Sequence, residues 1–110
     1  FQIIEGGTGD YWSIASSQID ISSVKEKDAF RYLAKGSKRT FGEGTGNGNF
    51  CQAGENAEKP KGEWNEVELI CFGDKSIYIV NGKVVMALSG SRYKQGNEVK
   101  PLTKGRIQLQ

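Results

Sequence analysis

The chain predicts an all-β domain, an antiparallel β-sandwich of 110 residues, and three features carry that prediction. In Glu66–Phe72 the side chains alternate, with Val67, Leu69 and Cys71 on one face and Glu66, Glu68, Ile70 and Phe72 on the other, the period of a strand. Asn81-Gly82 stands between two apolar runs, and both residues tolerate the positive φ of a type I′ turn, so Ile77–Val80 and Val84–Leu88 should close a tight hairpin. Fifteen glycines against two prolines fit a chain with many turns. With Gly73–Ser76 as a short polar connection, Glu66–Leu88 reads as a three-strand meander to which the rest of the sheet is added.

Upstream of the meander, Phe1–Glu5 reads as a strand with Phe1, Ile3 and Glu5 on one face and Gln2 and Ile4 on the other. The glycine-rich loop Gly6–Asp10 that follows lacks the GxxxxGK[ST] pattern and leads into no clear helix, which argues against a phosphate cradle. It instead brings Asp10, Tyr11 and Trp12 to a surface. Trp12 has two readings, a platform for the apolar face of a sugar or a core aromatic, and the core is the preferred one. Ser13–Ile21 reads as a short strand and a loop. Ser23-Val24-Lys25-Glu26 fits a helix capping box, yet Phe30 and Tyr32 alternate with Arg31 and Leu33, and an all-β setting favours a strand there.

The basic run Lys35–Arg39 has no aromatic ladder beside it and is followed by Glu43, Glu55 and Glu58, so it reads as a solvated loop. Thr40–Gly48 reads as a long glycine-rich connection, Asn49–Gln52 as a short strand and Ala53–Lys61 as a polar connection stopped by Pro60. After Leu88, Ser89–Lys100 reads as a second long polar loop carrying Arg92 and Tyr93 over the meander. Pro101–Gly105 is a turn, and Arg106–Gln110 a closing strand with Ile107 and Leu109 inward.

Charged residues make up 25% of the chain and the net charge is +2, so neither a nucleic acid nor an anionic membrane is expected as the main partner. No apolar run approaches the roughly 20 residues of a membrane span. Cys51 and Cys71 read either as one buried and one partly exposed thiol or as a bridge in an exported setting. The chain has no histidine, so any base must be a carboxylate, a lysine or a tyrosine, no His-containing metal site can form from these residues, and any metal would need oxygen ligands. No motif specifies a cofactor.

Three segments resemble, in order and rough spacing, the 3-keto-disaccharide hydrolase family: FQIIEGGTGD at the start, GEWNEVELICFGDKSIYIVNGKVVMAL, and PLTKGRIQLQ at the end. Its GEWN, NG-hairpin and G-x-I-x-L-Q features are met by Gly62-Glu63-Trp64-Asn65, Asn81-Gly82 and Gly105–Gln110. The resemblance implies a jelly roll of the concanavalin A-like lectin/glucanase type, two curved sheets face to face with a carbohydrate on the concave side, in an exported bacterial protein of the periplasm or cell surface. The family's domains are longer, so the chain is expected to be a partial jelly roll, with any export signal upstream of Phe1.

The chemistry implied is modest in its demands. A ketone at C3 of a sugar acidifies the C2 hydrogen, and the glycosidic bond then breaks by elimination and rehydration, given one base and one donor for the enolate oxygen. The carboxylate candidates are Glu5 first, at the glycine-loop end of the opening strand, and Asp10 second. Gln2, Trp12, Arg31 and Gln110 are candidates for contacts to an oligosaccharide or 3-keto sugar, while Trp64 reads as core and Asn65 as a turn-stabilising residue. The competing expectation is a non-catalytic carbohydrate-binding or accessory module, since one fold serves both roles. Convergence of acidic and aromatic side chains in one groove separates the two.

Overall fold

The structure is a computed structural model that describes residues 1–106. Its described residues form nine strands and no helix: β1 (Tyr11–Trp12), β2 (Ser17–Glu26), β3 (Ala29–Tyr32), β4 (Ser37–Gly42), β5 (Phe50–Cys51), β6 (Val67–Phe72), β7 (Lys75–Val80), β8 (Lys83–Gln95) and β9 (Glu98–Pro101). The all-β antiparallel fold read from the sequence is the fold observed, and it is consistent with the concanavalin A-like jelly roll.

Strand β2 organises the seven-stranded sheet. Ser23 pairs with Tyr32 and with Ser37, so β3 and β4 lie on opposite edges of β2. Ile21 pairs with Arg39 and with Leu88, which places β8 on the same edge as β3. From β8 the sheet continues through β7 to β6, and β9 folds back on the far end of β8. The two-stranded β1–β5 sheet joins β3 through a parallel bridge between Arg31 and Gln52, with Tyr32 N donating to Gln52 O at 2.9 Å and Gln52 N to Phe30 O at 2.8 Å.

Alternation puts Ile19, Ile21, Phe41, Tyr78, Val80, Met86 and Leu88 on one face of the large sheet, and Tyr11, Cys51 and Ala53 cover that face from the smaller layer. Phe41 is fully buried and meets Phe30 edge-on, with ring centroids 5.4 Å apart. The ring of Phe1 stacks on Tyr78 at 4.6 Å.

The meander forms as the sequence predicts. Asn81 and Gly82 close its second turn with φ of 49° and 81°. A register shift after Tyr78 adds one residue to β8, so that the neighbours Val85 and Met86 are both buried. Asn65 stabilises the turn region as expected: its Oδ1 accepts from Lys59 N and from Asn81 Nδ2, each at 2.8 Å. Trp64 is a correction, since it is 92% exposed beside β6 rather than in the core.

Other elements differ for identifiable reasons. Phe1–Glu5 is not a strand. Gln2 N bonds Asp10 O at 3.0 Å and Gly9 N bonds Gln2 O at 2.9 Å, because Gly6 and Gly9, with φ of 79° and 99°, double the segment back on its own loop. Ser17–Glu26 is one ten-residue strand in which Ser23 takes a buried core position, so the uneven spacing of isoleucines concealed a regular alternation. The Ser23–Glu26 capping motif lies within that strand and caps nothing.

Lys35–Arg39 is no solvated loop either. Ser37–Arg39 belongs to β4, with Arg39 over the Phe30 ring at 5.2 Å and donating to Ser23 O. Ser89–Lys100 forms most of the β8–β9 hairpin, turned at Gly96 with φ 61°. The closing strand predicted at 106–110 lies outside the described residues beyond Arg106. Both cysteines are free, Cys51 buried and Cys71 exposed, so no bridge joins them. Burial, with the charge of Asp10 adding to it, pushes the Cys51 thiol up to about 12.

Candidate functional site

The glycine loop packs directly on the core, and its sequence permits this. A Cβ at Gly9 would stand 2.5 Å from Val85 Cγ2, at a φ of +99° that other residues rarely adopt. The chain therefore passes close over β8 and delivers Asp10 to the end of β1. There Asp10 Oδ1 accepts from Ala53 N at 2.7 Å, and Asp10 N donates to Gly7 O at 3.2 Å.

Arg31 arrives from β3. Its Nε donates to Glu26 Oε2 at 2.9 Å and its Nη1 to Ala53 O at 2.9 Å. Asp10 and Arg31 thus grip opposite ends of one residue, Ala53. Both line a depression of about 140 Å³ together with Gly6, Gly7, Gln52 and Asn56. Among the described residues neither Asp10 Oδ2 nor Arg31 Nη2 has a hydrogen-bond partner. Burial raises the Asp10 carboxyl above the usual aspartate range; the bond from Ala53 N and the charge of Arg31 oppose that rise, and the charge of Glu58 adds to it. The outcome is a carboxylate more basic than a solvated aspartate.

The other predicted residues fall in two places. Glu5 is exposed in the turn and borders a separate depression of about 370 Å³ with Ile3, Ile4, Lys59, Lys61 and Glu63, so the two carboxylate candidates do not share one cavity. Gln2 and Trp12 meet each other: Trp12 Nε1 donates to Gln2 Oε1 at 2.7 Å, and the indole lies on Phe50 at 4.5 Å. Trp12 is 51% exposed, which overturns the core reading, because Tyr11 takes the inward position of β1 and alternation turns its neighbour out. Neither Gln2 nor Trp12 lines the Asp10 depression. Gln110 lies outside the described residues.

Pairing of Tyr11 with Cys51 and of Trp12 with Phe50 turns Phe50 and Gln52 to the side of the small layer away from the core, and Gln52 bridges to Arg31. The buried Ala53 meets this surface through the backbone N and O that Asp10 and Arg31 bind, and Phe50 and Gln52 are members of it that the sequence does not single out. Glu58 is another: its carboxylate accepts from Gly6 N and Thr8 N, each at 3.0 Å, from fifty residues away, and no local pattern marks such a contact.

A second polar cluster is a cross-strand staple. Asp20 Oδ1 accepts from Thr40 Oγ1 at 2.6 Å and from Arg92 Nη2 at 2.8 Å, tying β4, β2 and β8 together. Burial works against ionisation of Asp20, but those two bonds and the Arg92 charge outweigh it and hold the carboxyl below its usual range. Among the described residues no group of three or more His, Cys, Asp or Glu is placed to hold a metal ion, and no helix is long and apolar enough to cross a membrane.

Two antiparallel sheets with a buried seam and an outward polar and aromatic surface define an all-β sandwich domain, an architecture that by itself names no activity. The chain belongs to the family described as the 3-keto-alpha-glucoside-1,2-lyase-like domain, whose model matches residues 4–110. No curated protein and no solved structure matches it.

Proposed function

We propose that this domain cleaves 3-keto-glycosides by elimination across C1 and C2 followed by rehydration, with Asp10 as the base and Arg31 as the donor to the enolate oxygen. One observation carries the reading: in a chain of a 3-keto-glucoside lyase-like family, a carboxylate raised by burial and a guanidinium line the same depression. Asp10 removes the C2 proton, which the C3 ketone has made acidic. Negative charge passes to the C3 oxygen, where Arg31 Nη2 offers a hydrogen bond. Electrons from the enolate then expel the alcohol at C1, and a proton is delivered to the departing oxygen. Water adds at C1 and a proton returns to C2, giving the free 3-keto sugar. Glu5, in the neighbouring depression, has no part in this scheme.

A second reading, a sugar-binding module without turnover, is favoured by the Gln2–Trp12–Phe50 surface and by its separation from the Asp10 depression, since the acidic and aromatic candidates do not meet in one groove. The indole there is half exposed, fixed by its Nε1 bond and of a size to stack on the apolar face of a pyranose. Incubating the protein with 3-keto-trehalose and following free 3-keto-glucose separates the two. Release of the 3-keto sugar is the result expected for the lyase. Saturable binding without release would support the module, and neither binding nor release would sink both readings.

A further inference from the structure

The Gly6–Thr8 turn is built as a clamp. Gly7 N points inward to Ile4 O at 2.9 Å, while the amides on either side of it, Gly6 N and Thr8 N, each lie 3.0 Å from a different oxygen of Glu58. Such a pair of amides calls for two acceptor oxygens, which a carboxylate has and a carboxamide does not. The bonds from Gly6 and Thr8 hold the Glu58 carboxyl below the usual glutamate range.

The Glu58 backbone is itself anchored. Glu58 N donates to Asn56 Oδ1 at 3.0 Å, and the next amide, Lys59 N, to Asn65 Oδ1 at 2.8 Å. Asn65 Oδ1 also accepts from Asn81 Nδ2, which reaches Ala57 O at 2.8 Å as well. Asn81 Oδ1 in turn accepts from Glu66 N at 2.9 Å. A continuous set of bonds therefore runs from the Asn81-Gly82 hairpin turn through Asn65 and Ala57 to Glu58, then to Gly6 and Thr8. Asp10 hangs from the same turn by its bond to Gly7 O, and its carboxylate is tied to Ala53 N.

We propose that Glu58 is a positioning residue that carries the rigidity of the Asn65–Asn81 turn into the glycine loop and so fixes Asp10 over its depression. The claim rests on the reading of Asp10 as the base only where turnover is concerned. The groups whose charge bears on Asp10 are Arg31 from β3 and Glu58 from the connection before β6.

The test is Glu58→Gln, read by amide hydrogen exchange at Gly6 and Thr8 with Tyr78 in β7 as the internal reference, by NMR titration of Asp10, and by kcat and KM. Exchange at both loop amides should rise about ten-fold or more with Tyr78 unchanged. The Asp10 titration should move down as a neighbouring negative charge is lost, and kcat should fall roughly ten- to hundred-fold with KM little altered. Wild-type exchange rates at Gly6 and Thr8 in the folded variant would overturn the proposal whatever the activity. Should the wild-type protein release no 3-keto sugar, the functional reading fails, and exchange and titration still decide the clamp. If Glu58→Gln does not fold, Glu58→Asp, which keeps the charge and shortens the reach, is decisive: accelerated exchange supports the clamp and wild-type rates refute it.

Discussion

Asp10→Asn is expected to lower kcat for 3-keto-glucoside cleavage by roughly 10²- to 10⁴-fold, the usual worth of a positioned base. Asparagine keeps an oxygen for the bond from Ala53 N, so the loop should stay in place and KM should change little. The pH behaviour has a definite sign. Cleavage by the wild type needs Asp10 ionised, so kcat/KM should rise with pH through a value above the ordinary aspartate figure of about 3.9. For stability the same upward displacement works in reverse. Between the unfolded and folded values the native state holds more protons, and stability falls as pH rises through that window. Asp10→Asn should remove both dependences together. A variant whose rate and acid limb match the wild type would exclude Asp10 as the base.

Phe41→Ala is expected to cost about 3–5 kcal/mol of unfolding free energy, read from denaturant midpoints. Phe41 is fully buried, opposite Ile19 in the β2–β4 register and edge-on to Phe30, so truncation leaves a cavity that the hydrogen-bonded β2–β4 pair cannot collapse to fill. Trp64→Ala provides the contrast. Despite its larger side chain, a residue that is 92% exposed should change stability by less than about 0.5 kcal/mol. A loss at Trp64 equal to that at Phe41 would mean that the core has been misplaced.

The segments most legible in the sequence are those where local rules and tertiary pairing agree. Glu66–Leu88 alternates, turns at Asn-Gly and forms the meander that both features demand. Where pairing overrides composition, the structure departs from the local pattern. The polar stretch after Leu88 belongs to a long strand because Arg92 has Asp20 and Thr40 to pair with across the sheet, contacts that sequence distance hides. Ser23 is buried though its type suggests a surface, and Arg39 lies along Phe30 although its neighbours are basic. At the site, the two carboxylates chosen from the sequence proved separable only in three dimensions. Asp10 alone is tied to the Ala53 backbone and shares its depression with Arg31, whereas Glu5 stands apart in the turn. The clamp by Glu58 had no signature at all, because it joins two loops with no periodicity of their own.

That joining gives the Gly62–Leu88 segment a second part. The GEWN and Asn-Gly features hold the meander, and through Asn65 and Asn81 they hold the connection that carries Glu58, which in turn holds the loop that presents Asp10. The scaffold and the proposed base are thus linked by backbone amides, two asparagines and the Glu58 carboxylate, in addition to the packing of Gly9 on Val85.

Proton removal at C2 is tested most directly by cleavage of a 3-keto-glucoside in deuterium oxide. Elimination and rehydration predict that the released 3-keto sugar carries solvent deuterium at C2, beyond the slow exchange of a control without protein, and that Asp10→Asn suppresses incorporation and cleavage together. Rapid release of a 3-keto sugar whose C2 hydrogen is wholly retained would contradict it.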